Sequence, residues 1–381
     1  MNQKINSYES VFLSLVRAGL WGDTPDLPES EAQLIEVVRL ARAQSLLGIV
    51  GDQLLKCEHK GLVIPNELRL KLKSFKVNVV MLADRLNEVT KNAFSLLERS
   101  GISPVLLKGA GLASNYPVPA LRQSGDVDVY VGEEDYLKSY EVLKPFADSI
   151  TASDELWIDK NYSLCIDNLE LEIHRVADEH PSRRADRCFR RFAHDHMRKN
   201  PVMLQVGDAV VETPSDTFNS LYVFLHLFRH FMYRGVGLRQ VCDWMLLLAR
   251  RGDGVDLPSL KQALEDMGLM RPWKDFAAIA VTHLGCPPEC IPFHDGNVSA
   301  RRQLRILKRI LKEGNFGKDT AYHKNRSSNF AVAKTMSFFR HMTRFAALAG
   351  LYPFHLLSYM KMMLGFGFGG LVRELKSHRR K

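Results

Sequence analysis

Residues 106–131 read LLKGAGLASNYPVPALRQSGDVDVYV, and the fold turns on why a strand meant to be buried carries two aspartates on one face. A glycine-bearing turn, Lys108-Gly109-Ala110-Gly111, follows the apolar run ISPVLL. Seventeen residues after Gly109, a second apolar run holds Asp126 and Asp128. Side chains alternate along a strand, so Asp126, Asp128 and Tyr130 share one face while Val127, Val129 and Val131 share the other. The valines anchor and the aspartates project. Two ionised carboxylates one repeat apart repel and are costly to bury without partners, which a divalent cation supplies most simply. Mg²⁺ suits the pair because it is hard, takes oxygen ligands, and is usually held by one or two carboxylates together with substrate phosphates.

Further acids follow downstream. YSLCI and LELEIHRV are joined by Asp167-Asn168, a two-residue polar turn between runs of strand length, which predicts a β-hairpin. Alternation places Glu170, Glu172 and His174 on one face and Leu169, Leu171 and Ile173 on the other. Both glutamates are thus candidates for a third acid. Upstream, Gly109 allows close backbone approach to a phosphate, and the following helix N-terminus directs N–H groups at it. Lys108 adds a point charge to the same anion. An Asp-x-Asp pair alone is a weak signal, as is a Lys-Gly turn. The specificity lies in their order: strand, glycine turn, short helix, Asp-x-Asp strand, then an alternating strand with a central glutamate.

On these residues the chain resembles the uncharacterised nucleotidyltransferase family of the DNA polymerase β-like superfamily. The superfamily pattern is a glycine turn, then Asp-hydrophobic-Asp, then a third acid on a later strand. The likeness extends from the N-terminal helices to LHLFRHFMYRGVGLRQVCDWMLLL, about two thirds of the chain. It implies an α+β fold: a polymerase β-like nucleotidyltransferase core, a small mixed sheet with flanking helices, embedded between N-terminal and C-terminal helical regions. Carried onto this sequence, it implies that Gly109, with Lys108 and Gly111, forms the phosphate turn. Asp126 and Asp128 bind metal, and Glu172 is the third acid, chosen over Glu170 because it matches the family's acid-hydrophobic-His ending at His174. Arg122 matches the family's arginine before the aspartates. His174 has two readings, orienting an acceptor or phosphate, or a hydrogen-bonded structural role. Two departures stand out: Ala110 occupies a position where the superfamily usually has serine or glycine, and the gap from turn to Asp126 is a little long.

The remainder of the chain is predominantly helical in pattern. VFLSLVRAGL, EAQLIEVVRLARAQSLLGIVGDQLL and VNVVMLADRLNEVTKNAFSLLE space apolar residues three and four apart, as do SDTFNSLYVFLHLFRHFMY and LRQVCDWMLLLARR. The expected division is an N-terminal helical region over 1–100, a nucleotidyltransferase α/β core over 101–212 and a C-terminal helical region over 213–381. With 381 residues, 46% apolar and 25% charged, the chain can bury a sizeable core. No secretory pattern opens it, and its six cysteines are scattered, so the expected location is the cytoplasm.

A net charge of +9 favours anionic partners. The basic cluster Arg183–Arg191 and the terminal SHRRK read first as solvated faces or tails. FAALAGLYPFHLLSYMKMMLGFGFGGLV holds Pro353, His355 and Lys361, which argues for a buried or surface-docking helix rather than a span, with peripheral membrane contact as the second reading. His226 and His230, spaced i, i+4, lack the glutamate of a zinc protease helix and read as packing residues. Arg239 and Asp243 have the spacing of a helix-bracing ion pair. His283, Cys286, Cys290 and His294 match no common zinc module and read as a loop. No G-x-S-x-G elbow or cysteine signature supports a hydrolase.

The resulting expectation is a Mg²⁺-dependent nucleotidyltransferase that moves a nucleoside monophosphate from a nucleoside triphosphate, ATP among the candidates, to a hydroxyl acceptor with release of pyrophosphate. Two Mg²⁺ ions, about 3.5 to 4 Å apart in such sites, would be held by Asp126, Asp128 and Glu172. The resemblance favours a sugar or other small molecule as acceptor, in bacterial surface-polysaccharide or other biosynthesis, with a protein as a further option. The alternative is a catalytically inactive nucleotide-binding or scaffold protein on the same fold. A third reading, nucleic-acid binding through the arginine cluster, carries less support.

Overall fold

The computed structural model of the chain describes residues 5–152, 156–157, 159–315 and 330–361. Four helices come first: α1 (Ser7–Trp21), α2 (Glu31–Ala43), α3 (Leu47–Cys57) and the long α4 (Asn66–Arg99). The helical pattern over 31–55 is not one helix. It breaks at Gln44 to Leu46, where Ser45 adopts φ 55°, and the break is used as a joint. The fully buried Gln44 side chain donates to the carbonyls of Ile310 and Leu311 and accepts from the Leu238 N–H.

Next comes a five-stranded sheet with spatial order β1-β2-β5-β4-β3. Its strands are β1 (Val105–Leu107), β2 (Asp126–Tyr130), β3 (Ser149–Thr151), β4 (Asn161–Ile166) and β5 (Leu169–His174). The β4–β5 hairpin turns at Asp167 and Asn168, both with positive φ, the geometry a two-residue turn requires. Helix α5 (Gly109–Ala113) follows β1, and α6 (Gly132–Leu143) follows β2. The decisive pairing is β2 with β5. It is parallel and sets Asp126 opposite Glu170, Asp128 opposite Glu172, and Tyr130 opposite His174.

The back face of this sheet forms one apolar cluster. Val127, Val129, Leu171 and Ile173 pack there with Leu164 and with residues of α4 and α6, among them Phe94, Leu97 and Tyr136. Two elements carried no assignment in the sequence reading: β3, which is half exposed, and a separate hairpin of β6 (Val202–Val206) and β7 (Ala209–Thr213). The arginine-rich segment is α7 (Arg183–His196), whose buried Ala185, Phe189 and Phe192 form one stripe while the arginines face outward.

Helices α8 (Asp216–Tyr233), α9 (Leu238–Arg251), α10 (Leu257–Asp266), α11 (Met270–Leu284), α12 (Ala300–Glu313) and α13 (Phe330–Leu348) follow, and residues 353–361 are helical. A second apolar cluster unites α1 to α3 with α7 to α12: Phe12, Val16, Val50, Phe224, Trp244 and Trp273 all belong to it. Helix α3 touches the loop ahead of β2 closely. The Gly48 N–H donates to Gln123 Oε1, and a Cβ at Gly48 would lie 2.4 Å from the Leu121 carbonyl oxygen.

The apolar C-terminal stretch is described as far as residue 361. It buries Phe345, Leu348, Leu351, Tyr352, Leu356 and Tyr359 and exposes Phe354 and Leu357; its remaining part and SHRRK lie outside the described residues. No helix among the described residues is long and apolar enough to cross a membrane. All six cysteines are free, and among the described residues no metal-competent group forms around Cys286 and Cys290.

One buried ion pair ties this end of the chain down. Arg302 donates through Nε and Nη2 to the fully buried Asp275 carboxylate at 2.7 Å each, and Tyr352 donates to the same group at 2.8 Å. Removing one partner of such a pair leaves an uncompensated buried charge. Arg302→Ala is therefore expected to lower unfolding free energy by about 3 kcal/mol, measured by urea titration. An Asp275→Asn, Arg302→Met double variant should recover part of that loss.

Candidate active site

Parallel pairing of β2 and β5 turns two separate alternations into one polar face. Asp126, Asp128, Glu170, Glu172 and His174 all line a cleft of about 670 Å³. Its floor is the sheet, and its walls are the loop 122–125 and the helices α8 and α9. Asp128 is almost completely buried, at 2% exposure, and two cationic or polar groups meet there. Lys108 Nζ lies 3.0 Å from Asp128 Oδ1, and His174 Nε2 lies 2.9 Å from the same oxygen. Glu172 Oε2 is 3.4 Å from His174 Nε2 and accepts a hydrogen bond from Asn161 Nδ2 at 3.2 Å.

The charges follow from these contacts. Burial alone would push the Asp128 carboxyl up, but the Lys108 charge and the His174 hydrogen bond outweigh it and hold the group well below the usual carboxylate range. The His174 hydrogen bond likewise lowers Glu172, against its partial burial. Burial works against charge on His174, yet bonds to Asp128 and Glu172 raise its pKa. Asp126 behaves differently: it sits at the exposed mouth of the cleft with protein crowded behind it, and that desolvation, followed by repulsion from Asp128, raises its carboxyl.

Asp128, Glu172 and His174 can each offer a ligand atom to one ion, and these atoms lie within 4.8 Å of one another. Two carboxylates and an imidazole accommodate a divalent cation. Asp126 lies one strand repeat away, outside that trio but in the same cleft. Glu170, opposite Asp126, is exposed. His174, open to two readings from sequence, is the bridge between the two acids.

The turn after β1 has its own geometry. Lys108 adopts φ 38° and ψ −138°, a conformation rare outside glycine, and Gly109 follows with φ 47°. A Cβ at Gly109 would meet only the Asp126 carbonyl, at 3.5 Å, so the backbone there is open to an approaching group. Helix α5 has only five residues, so close approach, not a helix dipole, is what this turn offers. Ala110 packs against the apolar cluster behind the sheet, and Gly111 faces Thr213; neither lines the cleft.

Arg122 is committed elsewhere. Its Nε and Nη2 donate to the two oxygens of Asp243 at 2.7 and 2.9 Å, both residues buried, and Tyr116 donates to the same carboxylate. This replaces the Arg239–Asp243 pair suggested by helical spacing. Arg239 instead donates through Nη1 to the Gln123 carbonyl, its Nε has no hydrogen-bond partner, and it lines the cleft near Asp126. His226 and His230 stand ring to ring at 4.4 Å in the opposite wall, where burial lowers both pKa values. Sequence spacing placed Arg239 on the correct helix but with the wrong partner, because Arg122 lies 121 positions from Asp243.

Comparison with known families settles the broad class. The chain belongs to the uncharacterised nucleotidyltransferase family. The family model matches residues 30–285, which takes in α2 to α11 and every residue of the cleft floor. The protein is accordingly a transferase of phosphorus-containing groups acting on a nucleotide. No curated protein and no solved structure matches it.

Loss of a supporting hydrogen bond typically costs a metal site tenfold or more, and loss of a direct ligand at least that. Asp128→Asn is expected to weaken divalent-cation binding by about tenfold or more in a Mn²⁺ titration followed by paramagnetic relaxation, with the circular dichroism spectrum unchanged. His174→Gln should produce a comparable loss if imidazole ligates, and a smaller one if it only holds the two acids.

Proposed function

We propose that the protein transfers a nucleoside monophosphate group from a nucleoside triphosphate to a hydroxyl acceptor, on a polymerase β-like core, with divalent cation held by Asp126, Asp128 and Glu172 and completed by His174. The observation that carries this reading is the shared face of β2 and β5, whose four carboxylates meet His174 and Lys108 in a single cleft. Carboxylates in that density fit hard cations, and Mg²⁺ bound there would supply charge neutralisation for the phosphates and for the leaving pyrophosphate.

Each protein group then has a definite task. The Lys108-Gly109 turn offers an open backbone and an ammonium to the triphosphate. Arg239, with a free Nε and a guanidinium lining the cleft near Asp126, adds planar donors on the same side. Arg122 supports the site indirectly: gripping Asp243 and donating from Nη1 to Ser124 Oγ, it fixes the loop that leads into β2. Glu172, kept ionised by His174 and held by Asn161, accepts the proton of an acceptor hydroxyl. The hydroxyl oxygen bonds to the α-phosphorus as the bond to pyrophosphate breaks. The side chain of Ala110 faces away from this chemistry, so the missing hydroxyl at that position removes nothing from the cleft.

Calorimetry with each of the common nucleoside triphosphates, with and without Mg²⁺, is expected to show binding that requires the metal and is lost in Asp128→Asn. Pyrophosphate release should fall by about a thousandfold or more in Glu172→Gln, well beyond the roughly tenfold loss of metal-dependent nucleotide affinity that a missing ligand causes, since the group also acts on the transition state. Metal-dependent binding without release under any acceptor would point instead to a nucleotide-binding protein that has lost turnover.

A further inference from the structure

A second hollow, of about 880 Å³ and open to one side, adjoins the cleft at Lys160 and Arg234; it is lined by the segment after β5, the start of α7, the end of α8 and the helical residues 353–361. Lys160, Arg229, His230 and Arg234 line both chambers, so the two adjoin. The outer one adds Arg183 and Arg184 from α7 and Lys361 from the last described helix, against a single carboxylate, Glu179.

Most of this charge is uncompensated. Arg229 is paired with Asp178, and Glu179 is engaged by Arg190 at 3.9 Å. Lys160, Arg183, Arg184, Arg234 and Lys361 have no carboxylate within ion-pair distance among the described residues. Like charges gathered around one hollow destabilise one another unless an anion enters. The strain registers at Lys160, where burial and then the Arg229 charge lower the pKa.

We infer that the outer chamber binds the phosphate of a phosphorylated small-molecule acceptor, whose hydroxyl reaches Glu172 in the adjoining cleft. This rests on the transfer reaction proposed above and names the acceptor class for it. The triphosphate-binding groups, Lys108, Gly109 and Arg239, belong to the inner cleft only and are absent from the outer lining, which leaves the basic chamber without a task in holding the nucleotide. Arginine forks favour phosphate over an uncharged sugar, and the volume, about 880 Å³, is in the range of a small-molecule pocket. In the reaction, the acceptor oxygen forms a bond to the α-phosphorus and its proton passes to Glu172. The bond from that phosphorus to the bridging oxygen breaks, pyrophosphate departs with the electron pair, and the acceptor's own phosphate is unchanged.

The test uses the full chain saturated with a non-hydrolysable nucleoside triphosphate analogue and Mg²⁺, titrated with inorganic phosphate in a calorimeter. Phosphate is expected to bind the loaded protein, and the exposed double variant Arg183→Ala, Arg184→Ala to weaken it roughly tenfold with analogue affinity unchanged. Arg187→Ala, Arg191→Ala, which removes equal charge from the same helix outside the chamber, should leave phosphate binding as it is. Absence of phosphate binding to the loaded protein, or equal losses in the two double variants, overturns the assignment while the nucleotide reading stands. Failure of the analogue to bind wild-type protein sinks that reading and this one with it. Oligothymidylate that binds the loaded protein far more tightly than phosphate, and is lost in the same variant, would replace the small molecule by single-stranded nucleic acid and also overturn the inference.

Discussion

The parallel ladder between β2 and β5 is the constraint on which the site depends. A one-residue slip would send Asp128 or Glu172 to the apolar side and a valine or leucine into the cleft. What prevents it is the back face: Val127, Val129, Leu171 and Ile173 are buried against α4 and α6 only in the observed register. The hydrophobic side of the sheet thus determines the spacing of the charges on the other. Lys108 and His174 then make burial of Asp128 tolerable, since each places a charge-assisted contact on a carboxylate that is almost wholly removed from water.

Much of this was written locally in the chain. Period-two alternation in DVDVYV and LELEIHRV gave the two faces, Asp167-Asn168 gave the hairpin, and the glycine turn marked the end of β1. These are near-neighbour signals, and near-neighbour physics decides them. Partners distant in sequence were not legible. Nothing near Arg122 announces that Asp243 will take both its nitrogens, and i, i+4 spacing pointed Asp243 to Arg239 instead. The metal-competent trio contains His174 where the sequence pattern favoured Asp126, because imidazole reach depends on side-chain geometry that alternation does not encode. The β6–β7 hairpin and β3 escaped notice because short strands with exposed positions lack a clean hydrophobic period.

The helices on either side of the sheet in sequence meet in one apolar cluster that includes the walls of the cleft. Apolar residues of α1 to α3 share one cluster with those of α8 to α12, and Trp21 and Arg17 on α1 donate to the carbonyls of Leu284 and His283 at the end of α11. Gln44 bonds to the backbone of both α12 and α9. The walls of the cleft are consequently braced by residues far from any ligand, and the loop 121–125 is held from two directions, by α3 through Gln123 and by α9 through Arg239 and Asp243.

Gly48 shows how far that bracing reaches. It contributes no side chain and touches no charged group of the cleft, yet there is no room at its α-carbon for even one methyl, because the Leu121 carbonyl occupies the space. In a survey of random changes across the gene, this position would score as intolerant as the aspartates, and for a wholly different reason. A map of mutational tolerance alone would list it beside the chemistry; only the closeness of two backbones tells the keystone from the tool.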